Sequence, residues 1–334
     1  MNEVTTTPYN VSNITYIYME NSRIMDLAMT INKYYLWVIL AFGFPGNLAT
    51  IVTIVRMRHL GSFTLYVVLL AVMDTLSLAI KIMFYQILGS GAALGTPGCK
   101  FLKFMGNYSS TFANWVLVLM AIERLLAVRY PLRVQKFLTC KRSVMIIISV
   151  GLGIGAAYAP IIPIVYYNEK ADNCESLQNS HMPHLMTWVN TSLYAFIPFI
   201  ILALSNILIG KAIRNSFRIR RALQCISSDS FRPRCCDVSI QRQILLMLFT
   251  STFVFVVLLF PICAFVVTDH YWEVKPYTEE YDIKYLCQQI AFVLCDSTHA
   301  VNFYLYFLSA RKFRKAFTQM PTCPKGSQGR PASL

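Results

Sequence analysis

The chain has 334 residues, of which 56% are hydrophobic and only 14% are charged, and its mean hydropathy is +0.50. A water-soluble domain of this length needs more polar surface, so the composition excludes an ordinary soluble protein. The formal net charge of +14 does not indicate nucleic-acid binding, because the basic residues lie in short segments between long apolar runs.

Seven apolar segments are long enough to cross a membrane, since a helical span needs roughly 20 residues. In chain order they cover residues 35–57, 64–88, 101–128, 142–167, 187–213, 243–268 and 285–308. Backbone polar groups in lipid must be satisfied within the segment, so runs of this length are helices. We therefore predict an all-α membrane protein, a seven-transmembrane helix bundle over residues 34–317, with a tail over residues 1–33 outside and a tail over residues 318–334 in the cytoplasm.

The distribution of charge sets the orientation of the bundle. On one side of the predicted spans lie 22 of the 30 Lys and Arg residues with only three acidic residues, and the positive-inside rule makes that side cytoplasmic. These basic residues also attract anionic membrane lipid. The N-terminal tail on the opposite side holds the sequons Asn10-Val-Ser12 and Asn13-Ile-Thr15, which we expect to be glycosylated.

Polar residues inside the spans narrow the choice between a receptor, a transporter and a channel, because such residues are costly in lipid and usually functional. In chain order the notable features are Asn47, Asp74, Glu123-Arg124-Leu125, Pro198, Pro261 and Asn302-Phe303-Tyr304-Leu305-Tyr306. The run from Ser309 to Phe317 predicts a short amphipathic eighth helix. Cys99 lies at the top of the third span, and Cys174 lies in the outer connection between the fourth and fifth spans.

This set of residues, in this order, resembles the rhodopsin-like (class A) G protein-coupled receptors from about Tyr34 to Phe317. The resemblance implies a plasma-membrane receptor with an extracellular ligand, a heterotrimeric G protein as partner, no cofactor and a Cys99–Cys174 disulfide. The pattern from Asn302 to Arg314 is similar to that of invertebrate neuropeptide receptors of the FMRFamide-receptor-like kind. A short peptide is therefore the expected ligand, and a small chemosensory molecule is the alternative.

The chain also departs from the family pattern. Leu259 replaces the tryptophan of the sixth span, Phe303 replaces the proline of the seventh, and Leu125 replaces the tyrosine after Arg124. Asn206 stands where the fifth span usually has tyrosine, and Gln241 stands where an acid often pairs with the third-span arginine. These changes in the switch motifs leave a non-signalling decoy receptor open as a further alternative.

The resemblance assigns a G-protein switch to Glu123, Arg124, Asn302 and Tyr306. The arginine would be paired in the resting state and released as the sixth helix moves outward. The alternative is an interfacial arginine whose side chain extends to the lipid headgroups. We also expect Cys323, beyond the eighth helix, to be palmitoylated.

The resemblance further implies a sodium site at Asp74, which Asn47, Thr298 and Asn302 can surround. Ala113 occupies the place of the third-span serine of that site. A protonated Asp74 in a purely structural hydrogen-bond cluster is the alternative.

The outer halves of the spans hold the expected ligand cavity. Its predicted lining residues are Lys81, Asn107, Ser110, Gln288, Gln289 and Asp296. Lys81 and Asp296 are ionisable at lipid depth, so we predict that they form an ion pair at the cavity floor. The alternative is that Lys81 extends outward and Asp296 pairs with His299 or water. The excess of acidic residues on the outer face favours a ligand with a positive charge.

Other classes of protein fit the residues less well. The chain has no zinc motif, phosphate loop or nucleophile elbow, so it is not expected to be an enzyme. Repeated halves, which would indicate a secondary transporter, are not found. Within the family, Asp296 in the place of the retinal-binding lysine excludes an opsin, and Gly106 in the place of the amine-binding aspartate disfavours a biogenic-amine receptor.

Overall fold

The computed structural model describes residues 22–56, 62–89, 94–130, 139–169, 173–177, 182–226, 235–269, 271–309 and 311–319. The first four spans contain α1 (Arg23–Arg56), α2 (Ser62–Gly89), α3 (Gly95–Arg129) and α4 (Cys140–Tyr158), the last of which is followed by the short α5 (Ile161–Ile164). An outer hairpin consists of β1 (Val165–Asn168) and β2 (Asn173–Ser176). The fifth span comprises α6 (Met182–Thr191), a π-helical turn (Ser192–Phe196) and α7 (Ile197–Ile226). The sixth and seventh spans are α8 (Cys235–Asp269) and α9 (Glu279–Ser309), and α10 (Arg311–Thr318) follows them.

The predicted helix bundle is confirmed, and each predicted span contains helical structure. The outer end of the fourth predicted span, residues 165–167, is wrong, because these residues belong to β1. Six of the described helical segments are long and apolar enough to cross a membrane. The seventh span, α9, falls short by composition because its sequence carries several ionisable residues. Helix α3 occupies the centre of the bundle, where it packs against α2, α4, α7 and α8.

Several helices extend beyond the predicted apolar segments. α1 begins at Arg23, so the last part of the predicted outer tail is helical. α7 continues to Ile226, well beyond the apolar run of the fifth span. Asn10, Asn13 and Cys323, the predicted modification sites, lie outside the described residues.

Small residues allow α1 to approach α9 closely. A Cβ atom added at Gly43 would lie 2.9 Å from Leu78 Cδ1 and 3.0 Å from the Ala300 Cβ, and one added at Gly46 would lie 3.1 Å from the Phe303 Cβ. Helices in lipid associate through close packing of small residues, because the hydrophobic effect does not drive their contact there. The two glycines therefore bring α1 against the seventh span.

The amphipathic eighth helix is present as α10, and it packs through an aromatic cluster. The Phe303 ring lies 5.9 Å from the Phe313 ring and 5.3 Å from the Phe317 ring, measured between centroids. Arg314 Nη1 donates to the carbonyl oxygens of Phe307 (3.0 Å) and Leu308 (2.6 Å), which caps the end of α9. Phe303, which replaces a proline of the family pattern, thus anchors α10 to the bundle.

The outer hairpin lies over the bundle and is tied to α3. Tyr167 pairs with Cys174 across its two antiparallel strands, and a Cys99–Cys174 disulfide joins the hairpin to α3, with the two Cα atoms 5.7 Å apart. The Tyr166 hydroxyl donates to Glu175 Oε2 at 3.0 Å, and this hydrogen bond raises the pKa of Tyr166. The disulfide expected from the resemblance is therefore present.

We predict that Cys174→Ser lowers the amount of receptor at the cell surface severalfold. Loss of a native disulfide costs about 2–5 kcal/mol in small secreted domains, and here it releases the hairpin from the buried Cys99. Surface labelling of an N-terminally tagged receptor measures the effect. Cys287→Ser, which removes an exposed free thiol, is the control and should leave surface expression unchanged. A Cys99→Ser/Cys174→Ser variant that is much worse than Cys174→Ser alone would contradict the prediction.

Candidate functional site

A cavity of about 460 Å³ lies among the outer halves of the spans. This volume is within the usual range for sites that bind small molecules or parts of peptides. Its polar lining residues are Tyr35, Lys81, Tyr85, Lys103, Asn107, Ser110, Thr187, Asn190, Thr191, Tyr194, Asp269, Gln288 and Asp296. The cavity is therefore mixed in character, with ionisable side chains of both signs.

Lys81 and Asp296 form the predicted ion pair, with Lys81 Nζ 2.5 Å from Asp296 Oδ1. The Asp296 side chain is 8% exposed and the Lys81 side chain 22% exposed. The Tyr35 hydroxyl donates to the other carboxylate oxygen at 3.2 Å, so α1, α2 and α9 meet at this group. The alternative in which Asp296 pairs with His299 is wrong, because His299 contacts Asp74 instead.

The π-helical turn in the fifth span places an aromatic ring beside this ion pair. Pro198 has no N–H group, so the carbonyl oxygen of Tyr194 lacks its helical donor, and Asn114 Nδ2 of α3 supplies one at 2.8 Å. The Tyr194 ring then lies below the Lys81 ammonium, which is 5.8 Å from its centroid. The Cys295 thiol donates to the Tyr194 hydroxyl at 3.2 Å. The local break in the helix thus fixes one wall of the cavity.

Most of the predicted lining residues do lie on the cavity. Asn107, Ser110 and Gln288 line it together with the ion pair, and the hydroxyls of Ser110 and Ser77 are hydrogen-bonded at 2.5 Å. Gln289 is buried but does not line the cavity. Adjacent residues of a helix point about 100° apart, so Gln288 and Gln289 do not face the same space.

A second polar cluster surrounds Asp74, deeper in the bundle. Asp74 Oδ1 lies 2.7 Å from His299 Nδ1, and Asp74 Oδ2 accepts from Asn302 Nδ2 at 2.9 Å. Asn302 Oδ1 accepts from the Ser251 hydroxyl of α8 at 3.1 Å, and Asn47 Nδ2 of α1 donates to the His299 carbonyl at 3.1 Å. All of these side chains are at most 6% exposed. The cluster joins α1, α2, α8 and α9 in the middle of the membrane.

The predicted switch residues lie at the cytoplasmic half of the bundle. Arg124 Nη2 is 3.8 Å from Glu123 Oε1, and Glu123 is buried. Tyr306 is 1% exposed, and its ring packs edge-on against Phe313 of α10. Asn206 accepts from the Thr252 hydroxyl at 2.6 Å, which links the fifth and sixth spans. The side chain of Gln241 lies outside the described part of the structure.

Four contributors to these clusters were not predicted as site residues from the sequence, namely Tyr35, Lys103, Tyr194 and His299. Tyr35 and Tyr194 look like ordinary interfacial aromatics in the sequence. Lys103 lies one turn after Cys99, and its Nζ is 4.9 Å from the centroid of the Phe84 ring. His299 is three residues after Asp296, a spacing that puts both on one side of α9. This spacing was the feature of the sequence that could have indicated a buried role for His299.

We predict that Asp296→Asn destabilises the receptor more than the double variant Lys81→Met/Asp296→Asn does. Removing one partner leaves a buried charge unpaired, which costs about 3–5 kcal/mol, whereas removing both avoids this. The thermal stability of the purified protein and its surface expression measure the effect without a ligand.

The matched control is the outer pair Lys284–Asp269, whose nitrogen and oxygen lie 2.9 Å apart with the Asp269 side chain 51% exposed. The Lys284 side chain is 19% exposed, but its partner Asp269 is open to solvent. Pairs with solvent access contribute only about 0.2–1 kcal/mol, so Lys284→Met and Asp269→Asn should be nearly additive. Additive losses at Lys81 and Asp296 as well, with coupling below about 0.5 kcal/mol, would contradict the prediction.

Comparison with known proteins identifies the family. Residues 46–306 match the family described as 7 transmembrane receptor (rhodopsin family). Growth hormone secretagogue receptor type 1 of Oryctolagus cuniculus is 25% identical over 296 residues, which are 82% of this chain and 76% of that receptor. Alpha-1A adrenergic receptor of Cavia porcellus is 34% identical over 32% of this chain and 24% of its own length. Green-sensitive opsin-1 of Danio rerio is 32% identical over 31% of each chain.

The matched segment therefore spans about a quarter to a third of the adrenergic receptor and the opsin. The family match, in contrast, covers most of the present chain and extends from the first span to Tyr306. Members of this family are multi-pass membrane receptors and not enzymes. The chain belongs to the rhodopsin family of seven-transmembrane receptors.

Proposed function

We propose that this receptor lies in the plasma membrane with its N-terminus outside, binds a short extracellular peptide, and activates a heterotrimeric G protein. The observation that supports this is the cavity of about 460 Å³ among the outer halves of the spans, with a buried ion pair in its wall. Pockets that combine an apolar lining with a few convergent polar groups are the usual binding sites of proteins.

The charges in the cavity favour a ligand with an acidic group. Lys81 is neutralised by Asp296, and Asp269 by Lys284. Lys103 also lines the cavity, and it has no carboxylate within ion-pairing distance among the described residues. A half-buried ammonium group gains most from an ionised partner. We therefore propose that the ligand presents a carboxylate to Lys103.

The acidic outer face supports a basic group elsewhere on the same ligand. Of the five acidic residues between Asp269 and Asp282, Asp269 pairs with Lys284 and Asp282 is buried against Ser22. The other three, Glu273, Glu279 and Glu280, are exposed and attract a positive charge. A peptide carries both kinds of charge along one short chain. The expectation of a simply cationic ligand is thereby refined to a ligand with charges of both signs.

The comparisons support a ligand that enters from solution. The match to a growth hormone secretagogue receptor extends over 82% of the chain, whereas the match to the opsin covers 31%. In the described cavity, the position of the retinal-binding lysine holds Asp296, which is engaged by Lys81 and Tyr35. We also propose that the chain is related to FMRFamide-receptor-like receptors, because the pattern around Asn302 and Phe303 is similar to theirs.

G-protein activation is proposed to use the contacts at the cytoplasmic half. Arg124 lies beside Glu123 in the described conformation. Pro261 interrupts the hydrogen-bond ladder of α8, so the cytoplasmic half of this helix can pivot about that point. Outward movement of α8 would open a cleft at Arg124 for the G protein. Ligand and G protein would then each favour the open state and strengthen the binding of the other.

We predict that Lys103→Gln weakens the most potent peptide agonist by about 10–100-fold. A hydrogen bond to a charged group contributes about 1.5–3 kcal/mol, and each 1.4 kcal/mol is tenfold in affinity. A peptide-library screen in transfected cells with calcium and cyclic-AMP readouts identifies the agonist and measures its potency. Lys100→Gln is the matched control, because Lys100 is three residues away on α3 and does not line the cavity.

Equal potency on wild type and Lys103→Gln would contradict the role of Lys103 and leave the receptor function intact. Peptide binding without any second-messenger response, for every peptide that binds, would favour a decoy receptor over a signalling one. An agonist without a carboxylate that is as potent as its acidic counterpart would contradict the proposed ligand chemistry.

A further inference from the structure

The family to which this chain belongs led us to expect a sodium ion beside Asp74, and the residues around Asp74 do not fit one. A hard cation is held by several oxygen atoms at once, from carboxylates, carbonyls, hydroxyls and water. The test of fit is therefore which oxygen atoms near Asp74 are available to a cation.

The carboxylate oxygens themselves are engaged by nitrogen atoms. His299 Nδ1 lies 2.7 Å from Asp74 Oδ1, and Asn302 Nδ2 lies 2.9 Å from Asp74 Oδ2. Whichever of His299 and Asp74 carries the shared proton, that proton lies between them, so the chain itself supplies the partner of Asp74 Oδ1. His299 is 1% exposed and Asp74 is 1% exposed, so the contact is an interior one.

Of the neighbouring oxygen atoms, two are oriented by contacts with other groups and one is missing. The Thr298 hydroxyl donates to the Cys295 carbonyl at 2.6 Å, and Asn302 Oδ1 accepts from the Ser251 hydroxyl at 3.1 Å. The third-span position that carries a serine in the family is Ala113, which is fully buried and offers no oxygen. Among the described groups of this region, Asn47 Oδ1 and the Tyr306 hydroxyl have no hydrogen-bond partner, and these two oxygen atoms fall short of the set that holds a hard cation.

We infer that the His299 imidazole takes the place of the sodium ion, so that this receptor binds no sodium at Asp74. A buried carboxylate needs a partner in a medium of low dielectric constant, and here that partner is part of the chain. In a receptor with a bound ion, the ion stabilises one conformation by an amount that depends on its concentration. In this receptor the corresponding contact between α2 and α9 is made by the chain itself and does not require sodium.

The test is the thermal unfolding of the purified full-length receptor in nanodiscs, with sodium chloride replaced stepwise by choline chloride at constant ionic strength. This measurement needs neither an agonist nor a G protein. An ion that binds only the folded state raises the Tm of the protein. Because we infer that the wild type binds no sodium, we expect its Tm to be the same in both salts. A wild-type Tm that rises with sodium, and no longer does so in Asp74→Asn, would overturn the inference.

The complementary experiment is to create a sodium site in a variant of the receptor. In Ala113→Ser/His299→Ser the ring is removed and two hydroxyl oxygens are added beside Asp74. We expect its Tm to rise with sodium, by on the order of 2–4 °C when sodium exceeds its Kd about fivefold. Adding Asp74→Asn to this variant should abolish the rise.

A folded double variant that shows no response to sodium would contradict the conclusion that the imidazole excludes the ion. If the double variant does not fold, the wild-type titration still decides the question.

Discussion

Polar contacts with α1 and α2 are what allow α9 to serve as the seventh span. It is less apolar than the other six spans, and Asp282, Asp296, His299 and Asn302 are all buried inside the bundle. Each has a partner on the facing helices or just before them, in Ser22, Lys81 and Asp74. Because unpaired polar groups are costly in lipid, these contacts decide where α9 lies and which of its faces points inward. The close approach at Gly43 and Gly46 then completes its packing against α1.

The same seam between α2 and α9 connects the ligand cavity to the interior. Asp74 and Lys81 are seven residues apart on α2, and Asp296 and His299 are three apart on α9, so the two pairs follow each other along facing surfaces. From His299 and Asp74 the contacts continue through Asn302 to Ser251 on α8. The outer pair and the inner cluster are thus neighbours on the same two helices, and the inner cluster reaches the sixth span. Double-mutant coupling between the two groups is the measure of energy transfer from one to the other.

The sequence was sufficient for the seven spans, which follow from the length of the apolar runs. The Lys81–Asp296 pair follows from the cost of two buried charges, together with the family resemblance, which makes the second and seventh helices neighbours. His299 could not be paired with Asp74 from spacing, because Asp296 on the same face was an equally plausible partner. The helical face of Gln289 was misjudged because adjacent residues were assigned to one cavity. The outer hairpin has two four-residue strands, too short to give a periodic pattern, and its position depends on the disulfide.

The altered motifs of α9 indicate which helices can move. A proline at residue 303 would interrupt the hydrogen-bond ladder of the helix, whereas Phe303 leaves it intact. Its ring packs on Phe313 and Phe317 of α10, and its Cβ is in close reach of Gly46 on α1. The cytoplasmic end of α9 is therefore held on two sides, without a hinge of its own. Among the described spans, Pro45 in α1, Pro198 beside the π-helical turn and Pro261 in α8 each remove a donor from the helical ladder. The Asn206–Thr252 contact joins α7 and α8, and the proposed movement at the cytoplasmic side is therefore assigned to these two helices rather than to α9.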